Sequence, residues 1–275
     1  DLFDVVDAGG HVLASVGHEA SDPDALGGMV TAALHGNTAS GIMAGRPPKV
    51  DHFRNGFMND TQSAWALVQS ALRLSGINPN TDCPRLHTEH ARRVVELAFL
   101  GMVASWDEFL EQVFVRYMAG AKTDTGFMPT LRIGKCAGIV HSYQVLAGDP
   151  DYDPNKHYAK FGDIKWVIAS SKLYFDQGSP FAARLHAKLQ PLQLAAKLRN
   201  RVAHASTKVR SDFKAAAQVH LGLGPGDPLS QGYRVGDLLV ADAERLFGQI
   251  ARDRHWNFFR AYHRMFRELA AGIVQ

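Results

Sequence analysis

The sequence predicts a mainly α-helical protein, a helical bundle with a small N-terminal α/β or hairpin-plus-helix region. From about Thr88 to Met118, large apolar residues recur at alternating steps of three and four, which is the spacing of one helix face. The tail from Asp237 to Ile273 is helical throughout by pattern. With 275 residues, 46% of them hydrophobic and 21% charged, the chain has the composition of a globular protein that buries a real core.

The first 80 residues are predicted to form a region of unknown role, and residues 81–275 the helical domain. Apolar residues on both sides of Ala8-Gly9-Gly10 predict a hairpin over residues 1–17, because glycines readily take positive-φ turn positions. Ser21-Asp22-Pro23 predicts a helix start, since cap residues precede a proline there. The rest of this region is predicted as a loop over residues 36–58 and a helix from Thr61 to Leu74.

The helix over Thr88–Met118 is predicted to be the spine of the bundle, because a stripe about eight turns long needs several packing partners. The stripe consists of Val95, Phe99, Met102, Trp106, Phe109, Val113 and Tyr117. Shorter helices are expected over Ala137–Leu146, over Ile164–Phe175, from Ser179-Pro180 until Pro191 interrupts it, from Pro191 onward, and over Asp212–His220.

Charge is distributed unevenly, although the net charge is only +3. No acidic residue lies between Asp176 and Asp212, a segment that attracts phosphate and other anions. Its lysines and arginines are Arg184, Lys188, Lys197, Arg199, Arg201, Lys208 and Arg210.

Within this segment, the helix from Pro191 carries the candidate catalytic residues. At about 100° per residue, Leu194, Ala195, Leu198 and Val202 form a buried stripe. Asn200 and His204 then lie on the opposite side beside Lys197 and Arg201, whereas Arg199 is turned about 140° from His204. Either the helix is distorted there, or a second copy of the chain completes the site, which predicts a homodimer.

The chemistry of Arg199, Asn200 and His204 suits RNA cleavage. RNA carries its own nucleophile, the 2′-hydroxyl, so an enzyme needs a proton carrier and a positive group for the developing charge. Histidine titrates near neutral pH, and arginine offers a permanently charged fork. Asn200 would orient the imidazole or bind the phosphate, and neither a metal nor another cofactor is required.

Arg199-Asn200-x-x-x-His204, late in a bundle led by a long amphipathic helix, resembles the motif of the HEPN superfamily. The segment Ser105–Leu110 is also similar to the first long helix of several HEPN branches. The resemblance covers about residues 88–220. It implies a HEPN-type bundle and a dimeric, metal-independent endoribonuclease of toxin–antitoxin, abortive-infection or antiviral systems. Its partners would be RNA and either an inhibitory antitoxin or an activating protein.

A different class of function is a non-catalytic HEPN-type module, an antitoxin or adaptor that holds nucleic acid or a partner protein. In either class Lys197, Arg201, Lys208 and Arg210 are candidate RNA contacts. Arg260 and Arg264 in the tail are further candidates, because basic and aromatic residues alternate there. The tail aromatics also have the spacing of a core helix with arginines on its wet face, and that interpretation is favoured.

Cys83 and Cys136 are the only cysteines, too few for a disulfide framework, which favours a reducing, cytoplasmic location. Cys83, His87 and His90 are a third, weaker possibility, a structural zinc site in an interaction protein. No apolar run is long enough to span a bilayer, so no membrane association is expected. The chain begins with Asp1 rather than Met, which leaves room for residues before it.

Overall fold

The computed structural model describes residues 3–6, 12–16, 49–75, 86–157 and 160–275. The chain divides into two units, Asp1–Arg46 and Pro47–Gln275. In the first unit, β1 (Phe3–Val6) and β2 (Val12–Val16) pair antiparallel, at the positions where the sequence predicts a hairpin. The register shifts between Val5 and Val6. The helix predicted from Ser21-Asp22-Pro23 lies outside the described residues.

The second unit is helical, and the predicted mainly α fold class is confirmed. None of the described helices is long and apolar enough to cross a membrane. The described helices are α1 (Val50–Leu74), α2 (Thr88–Met118), α3 (Ile139–Ala147), α4 (Ile164–Tyr174), α5 (Ala182–Ala187), α6 (Leu189–Ala203), α7 (Thr207–Leu221), α8 (Val235–Val240), α9 (Glu244–Phe247), α10 (Gln249–Asp253) and α11 (Phe258–Ile273).

Helix α2 is the centre of this unit, as its apolar stripe predicts. All seven stripe residues are exposed by 2% or less. Helices α1, α3, α6, α8 and α11 all pack against α2. Burial of such side chains stabilises a fold by roughly 1.5–3 kcal/mol each, so this one helix organises the core.

Helix α1 begins at Val50, so the predicted loop over residues 36–58 is wrong from that residue onward. Val50 is fully buried, and the Asp51 carboxylate accepts the Asp124 backbone N–H at 2.7 Å. These contacts with a distant segment hold the first turn, and sequence spacing does not reveal them. Because α1 packs along α2, it belongs to the helical unit, whereas the sequence placed a boundary near residue 80.

The tail is not one continuous helix, contrary to the sequence pattern. Helices α8, α9, α10 and α11 divide it, with Gly248 at a positive φ of 73° between α9 and α10. Asp242 and Asn257 form an isolated antiparallel bridge, and the Asn257 side chain accepts the Arg260 N–H at 2.9 Å to cap α11. These turns fold the short helices back before α11 enters the core.

Candidate functional site

Helix α6 carries the sequence motif and is held in place by its apolar face. Leu194, Ala195 and Leu198 are buried and Val202 is half-buried, as the helical arithmetic predicts. The helix begins at Leu189, so Pro191 lies in its first turn, where the missing N–H costs no intrahelical hydrogen bond. Helix α6 packs against α2, and the side chain of Arg199 reaches Asp107 on the long helix.

His204 does not belong to helix α6, which corrects the predicted stacking of Asn200 and His204 on one helix face. The helix ends at Ala203, and His204 has extended torsions of φ −136° and ψ 149°. Its N–H donates to the Asn200 carbonyl at 2.9 Å, and its carbonyl accepts from Arg201 Nη1 at 3.2 Å. The side chain of His204 is exposed at the start of a three-residue connection to α7.

The cause of this ending lies in the next helix. Ser206 is the N-cap of α7, and its hydroxyl accepts the Val209 N–H at 3.4 Å. An N-cap residue has extended backbone torsions, so the chain must leave the helix before it. Helix α7 therefore starts at Thr207, five positions before the predicted start at Asp212.

Arg199 turns away from solvent and joins α6 to α2. Its Nη2 atom donates to Asp107 Oδ2 at 2.9 Å, and the two side chains are 29% and 24% exposed. The Nε atom of Arg199 is buried and has no hydrogen-bond partner. Gly162 lies beside the pair, since a Cβ at that position would be 3.0 Å from Nη2 and 3.2 Å from Oδ2. The absence of a side chain at Gly162 permits this close approach.

The Asp107 carboxyl lies in an apolar setting that perturbs its titration. Burial raises its pKa to about 6, Arg199 opposes the shift, and Glu111 adds to it. A cavity of about 10 Å³, room for about one water, adjoins Asp107 and is walled by Trp106, Phe161 and other apolar residues. Asp107 therefore exchanges a proton close to neutral pH.

Glu111, four residues after Asp107 on α2, is a second acidic group with perturbed titration. The Tyr143 hydroxyl donates to Glu111 Oε1 at 2.7 Å. Burial raises the pKa of Glu111 and that of Tyr143. Glu111 also contributes to the raised pKa of Asp107, so two perturbed carboxyl groups follow one another along α2.

The other predicted site residues form two groups. Lys197 and Arg201 are half-buried on α6, and Lys208 and Arg210 are exposed on α7, so these four surround the end of α6. Arg260 and Arg264 are exposed on α11. Within the described part of the chain, no hydrogen bond or ion pair joins Arg199 to His204. One protomer therefore directs these two side chains to different surroundings.

The candidate zinc ligands are not assembled by the residues that the structure describes. Cys83 lies outside them. His87 is the N-cap of α2, where its Nδ1 accepts the Glu89 N–H at 3.3 Å, and its ring meets that of His90 at a centroid distance of 5.9 Å. Across the described ranges, no group of three or more His, Cys, Asp or Glu side chains could hold a metal ion. Cys136 is buried and has a free thiol.

Asp107 is the site residue that sequence reasoning missed. The segment Ser105–Leu110 contains it, and its resemblance to HEPN helices was the one signal available. The segment between Asp176 and Asp212 is free of acids in sequence but not in space, because α2 supplies a carboxylate to Arg199.

A comparison with known proteins found no matching family model, no similar curated protein and no similar solved structure.

Proposed function

We propose that this protein is a metal-independent endoribonuclease that cleaves RNA by attack of the 2′-hydroxyl on the adjacent phosphate. Arg199 stabilises the charge that develops on the phosphate, His204 transfers protons, and Asn200 supports them. One imidazole accepts the 2′-hydroxyl proton as the new O–P bond forms. The 5′-oxygen leaves as the old O–P bond breaks, and it takes a proton from a second imidazole or from water. The products are a 2′,3′-cyclic phosphate and a 5′-hydroxyl.

The observation that carries the proposal is the state of Arg199. One of its donors is fixed by Asp107, while Nε has no partner although it is buried. The Arg199 side chain is 29% exposed and Asp107 engages only one of its nitrogens, so a small shift of the guanidinium would offer further donors to a phosphate. A guanidinium held before the reaction pays no reorganisation cost when charge develops on the phosphate.

The proposed enzyme acts as a dimer. Arg199 faces α2, whereas His204 lies exposed beyond the end of α6, and no contact joins them within the described chain. A two-fold axis beside the α6–α7 connection would bring His204 of one copy towards Arg199 of the other. Such an enzyme fits a toxin or an antiviral effector, with an antitoxin or an activating protein controlling it.

The test is cleavage of single-stranded RNA by the wild type, by His204→Ala and by His90→Ala. His90 is an exposed histidine elsewhere on α2 and serves as the matched control. We expect His204→Ala to lose at least about 100-fold in rate, the scale of a general acid–base catalyst, while His90→Ala keeps its rate. Cleavage should persist in EDTA. Full activity of His204→Ala, or a requirement for Mg²⁺, would overturn the proposal.

A second function is favoured by one specific observation, the ion pair that partly neutralises Arg199. In this alternative the protein is a non-catalytic nucleic-acid-binding or partner-binding module, such as an antitoxin or adaptor. It would bind RNA through Lys197, Arg201, Lys208 and Arg210 without cleaving it. Binding would then depend on Lys197 and Arg201 as much as on His204, and no variant would change the length of the RNA.

A further inference from the structure

A second cationic surface lies between α1 and α11 and is built from two tryptophans and two arginines. The Arg260 guanidinium carbon lies 5.8 Å from the ring centroid of Trp65 and 5.8 Å from that of Trp256. Arg264 lies 5.9 Å from the Trp256 ring. We call these four residues the tryptophan–arginine patch.

The patch is partly open to solvent. Both indoles are half-buried, and both guanidinium groups are exposed. Elsewhere Arg116 lies only 3.9 Å from the centroid of Phe53, the distance of a packed structural contact. The Trp65 ring stacks on Phe259 at 6.0 Å, so another planar group would meet the part of each indole that remains exposed.

The charges of the patch are incompletely paired. Arg264 has Glu268 at 3.4 Å, but no carboxylate among the described residues pairs with Arg260. Helix α1 contributes no charge of either sign over residues 61–72, the stretch around Trp65. One side of the patch is therefore neutral and the other side is positive.

Two ring nitrogens at the patch lack hydrogen-bond partners. Trp256 Nε1 and His263 Nε2 are both buried without one, and the whole His263 residue is only 6% exposed. The Trp65 ring stacks on His263 at 5.8 Å and 28°. Burial and the neighbouring Arg267, Arg264 and Arg260 lower the pKa of His263 to about 4, so its imidazole is neutral at neutral pH.

We infer that the tryptophan–arginine patch binds single-stranded RNA, with unpaired bases on Trp65 and Trp256 and phosphates on Arg260 and Arg264. Aromatic rings with interleaved arginines are the usual platform for single strands, because every base has a π face and every linkage a negative charge. A duplex offers only its phosphates, since its base faces are already stacked. The inference rests on the proposed function in taking RNA as the ligand.

The patch is distinct from the proposed cleavage site, and helix α11 runs from one to the other. Phe266 of α11 lines the same small cavity as Asp107. Arg260 precedes it by six residues, about 9 Å along the helix axis. The patch would therefore hold the substrate strand outside the reacting linkage, which assigns α11 a role in substrate binding.

The test uses the full chain carrying His204→Ala and a labelled uridine oligomer about ten nucleotides long. An abasic oligomer of the same length carries the phosphates without the bases. We expect RNA to quench tryptophan fluorescence and to bind about tenfold more weakly to Trp256→Leu and to Arg260→Gln, the scale of one lost stacking or cation–π contact. The abasic oligomer should bind weakly and should not distinguish Trp256→Leu from the parent.

Arg93→Gln is the matched control for charge, because Arg93 is exposed on α2 and already pairs with Glu96 at 2.9 Å. Arg260→Gln is an exposed substitution, so it keeps the test valid if Trp256→Leu is unstable. Unchanged RNA affinity in both patch variants, or equal binding of RNA and the abasic oligomer, would overturn the inference. A protein partner instead of RNA would give the first of these results.

Cleavage and binding at the patch are measured separately, so each can fail without the other. If the wild type does not cleave RNA but stacking depends on Trp256, the enzyme proposal fails and the patch stands. If the wild type cleaves in a His204-dependent way while the patch variants bind normally, the enzyme stands and the patch fails.

Discussion

Two of the arginine–aspartate pairs in the helical unit, Arg54–Asp51 and Arg199–Asp107, differ in how many of the guanidinium nitrogens are used. Arg54 donates from Nε to Asn55, from Nη1 to the Val274 carbonyl at 3.1 Å, and from Nη2 to Asp51 at 3.0 Å. The other oxygen of Asp51 accepts a backbone N–H from Asp124. This pair ties α1 to the end of the chain, and all three guanidinium nitrogens of Arg54 have a partner.

In the pair of Arg199 and Asp107 the arginine is exposed much as Arg54 is, but Asp107 is 24% exposed against 3% for Asp51, and the pair is incomplete. It has a single hydrogen bond, its Nε is buried without a partner, and its carboxyl titrates near pH 6. A saturated pair is a structural clamp, and an unsaturated pair beside cationic helices is suited to take an anion. The difference separates an arginine whose three guanidinium nitrogens are all hydrogen-bonded from one with unused nitrogens, although both have aspartate partners.

The largest expected effect comes from removing each arginine in turn. Arg199→Ala should lower the cleavage rate by about 100-fold or more, the effect of losing one donor to a developing charge, and destabilise by only about 1 kcal/mol. The stability cost is small because Asp107 can bind a proton when its partner is lost. Arg54→Ala should keep its rate per folded molecule but lose about 3 kcal/mol, because Asp51 becomes an unpaired buried charge. Steady-state rates and urea denaturation measure the two effects.

The two arginine variants also control for each other. Equal rate losses per folded molecule in Arg199→Ala and Arg54→Ala would show that Arg199 has no special part in cleavage.

The second effect is on the pH dependence of stability. The folded-state pKa of Asp107 lies above its ordinary value of 3.8, so the folded protein binds more protons than the unfolded chain between about pH 4 and pH 6. The stabilisation is fully present below pH 4 and is lost as pH rises through 6. Relative to Asp107→Asn, which cannot titrate, the wild type should lose about 2 kcal/mol over this window.

Urea denaturation at pH 4.5, 5.5 and 6.5 measures this difference. Other titrating groups are common to both proteins and cancel. A difference between wild type and Asp107→Asn that stays flat or grows with pH would mean that the folded protein does not raise the Asp107 pKa.

The smallest expected effect comes from filling the space that Gly162 leaves beside Arg199 and Asp107. Gly162→Ala places a methyl group 3.0 Å from Arg199 Nη2, so the guanidinium must shift by a few tenths of an ångström. We expect a rate loss of about tenfold, because small displacements of catalytic groups are costly. Gly101→Ala on α2 is the control, since a Cβ there meets nothing within 4 Å. Similar rates for the two alanine variants would show that the position of Arg199 is not limiting.

The sequence was informative where structure depends on local periodicity. The stripe on α2 predicted the core helix with its bounds, and the apolar face of α6 was placed correctly. Local patterns failed where a distant contact decides the outcome. The hydrogen bond from the distant Asp124 to Asp51 and the burial of Val50 fix the start of α1, and the sequence near Val50 reveals neither.

The candidate site shows the same division between local and distant causes. Arg199, Asn200 and His204 were selected from their order and their charged surroundings. Asp107 was missed because it is 92 positions away in the chain from Arg199. The end of α6 was missed because no glycine or proline marks it. Ser206, as a cap of the following helix, causes it instead, so the signal lies after the motif.

His204 lies in the three-residue connection between α6 and α7. The course of the backbone in this connection, more than the side-chain rotamer, sets the position of its imidazole. Both flanking helices are 15 residues long and are anchored by buried faces of their own. One residue added after Ala203 would carry the imidazole up to about 3.8 Å along the backbone without disturbing either helix. The length of this connection is thus an engineering control by which activity could be adjusted independently of stability.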